Sequence, residues 1–276
     1  MEVIIAQEAG FCFGVKRALR LAEKALKEYG EVFSIGPLIH NQRVIDELKE
    51  KGLKVLDSVS EVVEGPVIIR SHGITKGAFE ELKKKGIKII DGTCPTVKKV
   101  QRLAQSLSRK GFFVVLIGER DHAEVKGILS YAEGNAIVVE SFLEIPEGLP
   151  KRKIAALVQT TQGPERVKEI LGVLFERVKE IKVYNTLCEA AQRRQKEALE
   201  LAKKVDLMFV IGGKESANTR RMVEVCKRVQ ARTYHIEGPE EISPELLKTA
   251  KKVGLTGGAS TPPHLIKEVY ERLTAL

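Results

Sequence analysis

Ile87-Lys88-Ile89-Ile90-Asp91-Gly92-Thr93-Cys94 is a short apolar run leading through a turn into a cysteine. Ile181-Lys182-Val183-Tyr184 stands at the same distance before Cys188, and Val3-Ile4-Ile5-Ala6 holds the corresponding place before Cys12. The copies keep their spacing downstream. Counting 24 forward from each cysteine gives Gly36, Gly118 and Gly212; counting 28 gives His40, His122 and Ser216; counting 30 gives Gln42, Glu124 and Asn218. A basic residue, Lys16, Lys98 or Arg193, follows each cysteine closely. A repeat at this scale predicts three related structural units. One thiol and one set of polar groups per unit would then converge on a pseudo-threefold axis.

The alternation of short β-rich runs with helical patterns predicts an α/β protein. Expected strands are 3–6, 32–35, 66–70, 87–91, 112–118, 136–139, 154–159, 181–185, 207–212, 233–236 and 252–256. Continuous apolar runs such as Phe112-Phe113-Val114-Val115-Leu116-Ile117 suit parallel strands covered on both faces. Expected helices include 15–28, 42–51, 76–85, 97–110, 165–178, 190–203, 218–229 and 263–274. The repeat divides the chain into 14–95, 96–187, and 188–276 together with 1–13. The first strand joins the last unit because it sits where the other cysteine-bearing strands sit.

The chain has 276 residues, 43% of them apolar, which allows a sizeable core. No apolar run approaches the roughly 18 residues that argue a transmembrane helix. Met1-Glu2-Val3-Ile4-Ile5 lacks the basic segment of a secretory signal. Four cysteines in such a chain read as metal-binding or catalytic thiols rather than disulfides, and the cytoplasm is the expected compartment. The net charge is +9, but many cations interleave with acids, as in Glu176-Arg177-Val178-Lys179-Glu180. Tryptophan is absent and aromatics do not interleave with basic residues, so neither a nucleic-acid nor a membrane partner is expected. A small anionic substrate fits the charge.

A lone cysteine is most often a small buried hydrophobe. Three at equivalent positions after strands are not explained that way, whereas Cys226, among Met222, Val223 and Val225, is. Structural zinc wants four ligands, commonly in C-x-x-C pairs, and there are none here. Single thiolates from three units suit an iron–sulfur cluster, and three leave one iron open to a substrate oxygen. The loops after the strands carry His40, His72, His122, Thr160, Ser216, Asn218 and Ser260, hydrogen-bond donors suited to a phosphate or diphosphate. Glu124 is the only carboxylate at its repeat position; walled by apolar groups, it would stay protonated and donate a proton. No G-x-G-x-x-G, P-loop or G-x-S-x-G pattern is present.

These residues, taken together, resemble the IspH/LytB family of 4-hydroxy-3-methylbut-2-enyl diphosphate reductases. The matching segments run from Ala9-Gly10-Phe11-Cys12-Phe13-Gly14-Val15 through Gly36-Pro37-Leu38-Ile39-His40-Asn41, Arg70-Ser71-His72-Gly73, Asp91-Gly92-Thr93-Cys94-Pro95, Gln159-Thr160-Thr161, Asn185-Thr186-Leu187-Cys188 and Ser216-Ala217-Asn218 to Gly257-Gly258-Ala259-Ser260-Thr261-Pro262. Two positions depart: Ala123 stands where the family usually reads H-P-E, and Ala217 where a second serine is common.

The resemblance implies a trefoil of three α/β units around a [4Fe–4S] cluster held by Cys12, Cys94 and Cys188. It implies a diphosphate held by His40, His72, Ser216, Asn218 and Ser260, with Ala217 in the same loop, and proton delivery by His122, Glu124 and Thr160. It further implies reduction of the allylic alcohol by two electrons and two protons to isopentenyl and dimethylallyl diphosphates, the last step of the non-mevalonate pathway, with ferredoxin or flavodoxin as donor. Without the resemblance the residues reach only a three-thiolate cluster facing an anionic ligand. An aconitase-like dehydratase and a nucleic-acid-binding iron–sulfur regulator remain open at that stage.

Overall fold

The structure, a computed structural model, describes residues 1–150 and 152–275. Its strands form three four-stranded sheets in which every pairing is parallel. The first runs in the order β1 (Glu2–Ile5), β12 (Lys252–Gly257), β10 (Leu207–Ile211), β11 (Thr233–Ile236). The second runs β5 (Ile89–Asp91), β4 (Val67–Ile69), β2 (Val32–Ile35), β3 (Leu53–Leu56). The third runs β9 (Ile181–Val183), β8 (Ile154–Val158), β6 (Phe113–Ile117), β7 (Ala136–Val139). One strand order thus serves all three, and the strand leading to a cysteine is always an edge strand. The first strand of the chain does join the last sheet, with Val3 opposite Val253 and Ile5 opposite Leu255.

The chain forms two compact units. One comprises Met1–Lys16, Ile39–Glu47 and Glu189–Leu276 and holds the first sheet; the other comprises Arg17–Leu38 and Leu48–Cys188 and holds the second and third.

The apolar runs become strands because both faces of each sheet are covered. In the third sheet Val114, Leu116 and Leu157 pack on one side with Val100 of α4 (Pro95–Arg109) and Val125 and Ile128 of α5 (Ala123–Tyr131). Val115, Ile117 and Val158 point the other way, onto Val167, Ile170 and Leu174 of α6 (Pro164–Arg177). In the first sheet Leu207, Phe209 and Ile211 meet Leu265 and Val269 of α9 (Pro263–Thr274). Met208 and Val210 meet Ala198 and Leu201 of α7 (Glu189–Ala202) and Met222 of α8 (Ala217–Lys227). Burying one such large side chain contributes about 1.5–3 kcal/mol, so a run of five outweighs the weak intrinsic preferences of the segment.

Two elements were not among those expected, β3 and α5. The helices α1 (Phe13–Tyr29), α4 and α7 also begin earlier than the periodicity suggested, each directly after its cysteine. Pro95 occupies the first helical position of α4, where a missing N–H costs nothing. Among the described residues no helix is long and apolar enough to cross a membrane.

Candidate functional site

Each of the three repeat cysteines stands immediately before a helix, Cys12 before α1, Cys94 before α4 and Cys188 before α7. Each also ties its backbone to the loop after the neighbouring strand. Cys12 N–H donates to the Ala259 carbonyl at 3.0 Å, Cys94 N–H to Ser71 at 2.9 Å and Cys188 N–H to Thr160 at 2.8 Å. The bond recurs because β1, β5 and β9 lie beside β12, β4 and β8, so their carboxyl ends are neighbours. The three cysteines are half-buried and none of the four forms a disulfide. The Val15 N–H points at Cys12 Sγ from 3.4 Å, and a helix start favours negative charge. Cys226 is different: it is buried in α8, and burial pushes its thiol up to about 12. Three single, accessible thiols at helix starts fit an iron–sulfur cluster better than tetrahedral zinc.

The compact unit that carries Cys12 also carries His40, Ser216, Ala217, Asn218 and Ser260. Ser216 caps α8, accepting from Thr219 N–H at 3.3 Å, so its own proton remains available. Asn218 is buried, and its Oδ1 has no hydrogen-bond partner among the described residues. A half-turn of that amide presents an NH2 group instead, which an anion would satisfy. Ser260 donates to the His40 carbonyl at 2.9 Å. The turn before α8 also presses on His40: a Cβ at Gly213 would stand 2.6 Å from that carbonyl. Gly212 there has φ +148, which explains the glycine at that repeat position. This loop cluster is therefore built from neutral donors at a helix N-terminus, the composition of an anion site.

The other unit carries His72, Cys94, His122, Glu124, Thr160 and Cys188. His122 caps α5, accepting from Glu124 N–H through Nδ1 at 3.1 Å. That bond leaves Nε2 as the ring's donor. The His72 and His122 rings meet edge to face with centroids 5.4 Å apart. Glu124 is 2% exposed. Its carboxylate accepts from Thr160 twice, from the backbone N–H at 2.7 Å and from Oγ1 at 2.8 Å. Burial raises the Glu124 pKa; the two Thr160 bonds oppose it, and the result is pushed up to about 7. The backbone of Thr160 thus holds both Glu124 and Cys188. Gly118, the middle repeat glycine, has no positive φ. It is required sterically, since a Cβ would lie 2.8 Å from both Gln159 Cβ and Val125 Cγ2.

Three positions were missed as supports. Asn41 is the residue that caps α2 (Gln42–Glu50), accepting from Val44 N–H at 3.2 Å, so the first helix of its kind starts one residue later than its two counterparts. Gln159 receives the Glu119 N–H at 2.8 Å and closes the turn before His122. Arg70 donates to the Gly73 carbonyl at 3.2 Å and closes the turn around His72. Asn41 is the one a capping argument finds in sequence.

The chain is similar to known proteins along nearly its whole length. A model of the LytB protein family matches residues 3–274. The 4-hydroxy-3-methylbut-2-enyl diphosphate reductase of Geobacter metallireducens is 47% identical over 274 residues, covering 99% of this chain and 97% of that protein. The protein of the same name from Aquifex aeolicus is 47% identical over 278 residues, covering 99% and 96%. A solved structure of (E)-4-hydroxy-3-methyl-but-2-enyl diphosphate reductase, described as the terminal enzyme of the non-mevalonate pathway, is 46% identical with full coverage of both chains and a TM-score of 0.73. The corresponding reductase from Plasmodium falciparum is 26% identical, with 99% and 88% covered and a TM-score of 0.91. The chain belongs to the LytB family.

Proposed function

We propose that the chain reduces 4-hydroxy-3-methylbut-2-enyl diphosphate to isopentenyl and dimethylallyl diphosphates, the terminal step of the non-mevalonate pathway. The net reaction takes up two electrons and two protons and releases the hydroxyl as water. An iron–sulfur cluster is the cofactor that membership of the family implies. A [4Fe–4S] cluster held by Cys12, Cys94 and Cys188 would supply the electrons and a Lewis-acidic iron. The units 14–95, 96–187 and 188–276 with 1–13 are the corresponding repeat boundaries.

The diphosphate is held by His40, His72, Ser216, Asn218 and Ser260 and by the backbone around Ala217. The α8 N-terminus and the Ser216 hydroxyl favour negative charge there. Glu124 supplies a proton. Burial pushes the Glu124 pKa up to about 7; Thr160 Oγ1, which donates to the carboxylate at 2.8 Å, would turn to accept from the protonated acid and donate onward. His122, fixed as a donor at Nε2, steadies the leaving hydroxyl. Electrons arrive singly from ferredoxin or flavodoxin. The observation that carries this reading is the buried Glu124 carboxyl, bonded twice to Thr160, in a chain of this family.

The test is an anaerobic assay with the allylic diphosphate and a low-potential reductant. The two diphosphate products should form only when reductant is present. Inorganic diphosphate should compete with substrate, and the parent alcohol should bind poorly. Turnover without reductant would point to dehydratase chemistry; equal affinity for alcohol and diphosphate would remove the anion site.

A further inference from the structure

The excess positive charge is not spread evenly. Residues 9–22 contain Lys16, Arg17 and Arg20, residues 92–118 contain Lys98, Lys99, Arg102, Arg109 and Lys110, and neither stretch has an aspartate or glutamate. Those eight cations set against a net +9 leave the rest of the chain nearly neutral. The two stretches are the starts of α1 and all of α4, the helices that follow Cys12 and Cys94. The helix after Cys188, by contrast, carries Glu189, Glu197 and Glu200.

A surface depression is lined by Arg17, Thr93, Pro95, Lys98, Lys99 and Arg102. Thr93 and Pro95 are the two neighbours of Cys94. Arg17 donates to the backbone carbonyls of Thr93 at 3.2 Å and Asp91 at 3.1 Å, so its hydrogen bonds hold the turn while no acidic side chain among the described residues pairs with its charge. Lys98 pairs with Asp91. Burial pushes the Asp91 carboxyl up, but Lys98 and Thr93 together hold it below its ordinary value. Lys99 and Arg102, one turn apart on α4, are exposed and have no acidic partner among the described residues. Three cations without an acidic partner among the described residues therefore surround the backbone on both sides of one proposed cluster ligand.

We infer that this basic depression beside Cys94 is the docking surface for a small acidic carrier protein that delivers one electron at a time. The inference rests on the reductase reading above and names the partner of that site. Opposite charge steers the carrier into an encounter, and an exposed, hydrated rim of lysine and arginine releases it again after transfer. Thr93 and Pro95, which line this surface, are joined through the backbone directly to Cys94. A nucleic acid fits less well, because the depression offers no aromatic side chain for bases to stack on.

The test uses the double variant Lys99→Glu/Arg102→Glu, with Lys168→Glu/Lys227→Glu as a charge-matched control elsewhere on the surface. Binding of an acidic two-[4Fe–4S] ferredoxin, and separately of an acidic flavodoxin, is titrated at low and at physiological salt. Turnover is measured with each carrier and with reduced methyl viologen. At low salt the double variant should bind the carrier roughly 10- to 100-fold more weakly. The difference should shrink as salt rises, the control should resemble the parent, and viologen-driven turnover should be retained. Whichever of ferredoxin and flavodoxin responds identifies the carrier chemistry. Unchanged affinity for both carriers in the double variant overturns the inference. So does loss of binding to a duplex RNA with carrier affinity intact, which would assign the surface to nucleic acid. If the parent fails to turn over with viologen, the reductase reading falls, and the carrier titration still decides the docking surface.

Discussion

Glu124 is decided by a contest between two effects. Removing a carboxylate from water costs several kcal/mol, whereas hydrogen bonds to a charged group contribute roughly 1.5–3 kcal/mol each. Two bonds from Thr160 do not fully offset a side chain that is 2% exposed, so the group titrates at about 7. Glu124→Gln keeps the shape and one acceptor but holds no transferable proton. Turnover should fall by about 100-fold or more, within the range for general acid catalysis, while the visible absorbance of the cluster is unchanged. In the parent, the rate should decline above pH 7 as Glu124 loses its proton; a flat profile through that region would remove Glu124 as the donor. Stability follows with a definite sign. The folded carboxyl keeps its proton up to about 7 and the unfolded one only to its ordinary value of 4.5. The contribution is therefore fully present below pH 4.5 and is lost as pH rises towards 7. Between pH 5 and pH 8 the parent should lose more urea resistance than Glu124→Gln. A larger loss in the variant would reverse the assigned shift.

At the level of elements, the recurring unit is an edge strand that ends in a cysteine and starts a helix. Its tolerance is small. Gly92, two residues before Cys94, has no room for a methyl group, which would collide with the Ile69 carbonyl oxygen. Gly92→Ala should cost roughly 1–3 kcal/mol through overpacking. Because the strain falls on the turn that places Cys94, iron content should drop along with Tm. Gly172, inside α6 with nothing within 4 Å of an added Cβ, is the opposite case. Gly172→Ala should raise stability by about 0.5–1 kcal/mol. Differential scanning calorimetry of the two variants checks both signs. The same elements show what was legible in the sequence. Strands such as β6 and β10 announced themselves because both faces are buried, which makes them unbroken apolar runs. β3 did not, because Leu53-Lys54-Val55-Leu56 is an edge strand following a helix and a glycine, too short to show alternation. α5 was hidden for another reason. It is a nine-residue helix with Val125, Gly127 and Ile128 all buried, so it lacks a polar face and a clear 3.6-residue period. Gly127 lowers its propensity further and is kept by tight packing, with Gln101 Nε2 only 3.2 Å from where a Cβ would be. The cysteines and their +28 and +30 partners were legible because spacing survives where local propensity is weak. The bond between Glu124 and Thr160, 36 residues apart, was not, since no local pattern encodes it.

Over the whole molecule, the candidate residues are shared between the two compact units: Cys12 with the anion-binding loops in one, Cys94 and Cys188 with the Glu124–Thr160 pair in the other. Neither unit alone has enough thiols for a cluster with three protein ligands. The ligand set of the proposed cofactor can be read by iron content rather than by turnover. Anaerobically purified protein should carry about four irons and four sulfides per chain. Cys12→Ser, Cys94→Ser and Cys188→Ser should each lose most of the iron, because each removes one of three sulfurs that have no substitute nearby in sequence. Cys226→Ser should stay brown, since that thiol lies in the core of α8 with its pKa pushed up to about 12 by burial. Alkylation gives an independent view of the same difference. With the cluster stripped, iodoacetamide should modify the three half-buried cysteines of the native protein and leave Cys226 unreacted until the chain is unfolded, because the thiolate is the nucleophile and must be accessible. Bleaching by Cys226→Ser with iron retained in Cys12→Ser would break the equivalence of the three repeats and remove the three-thiolate site with it.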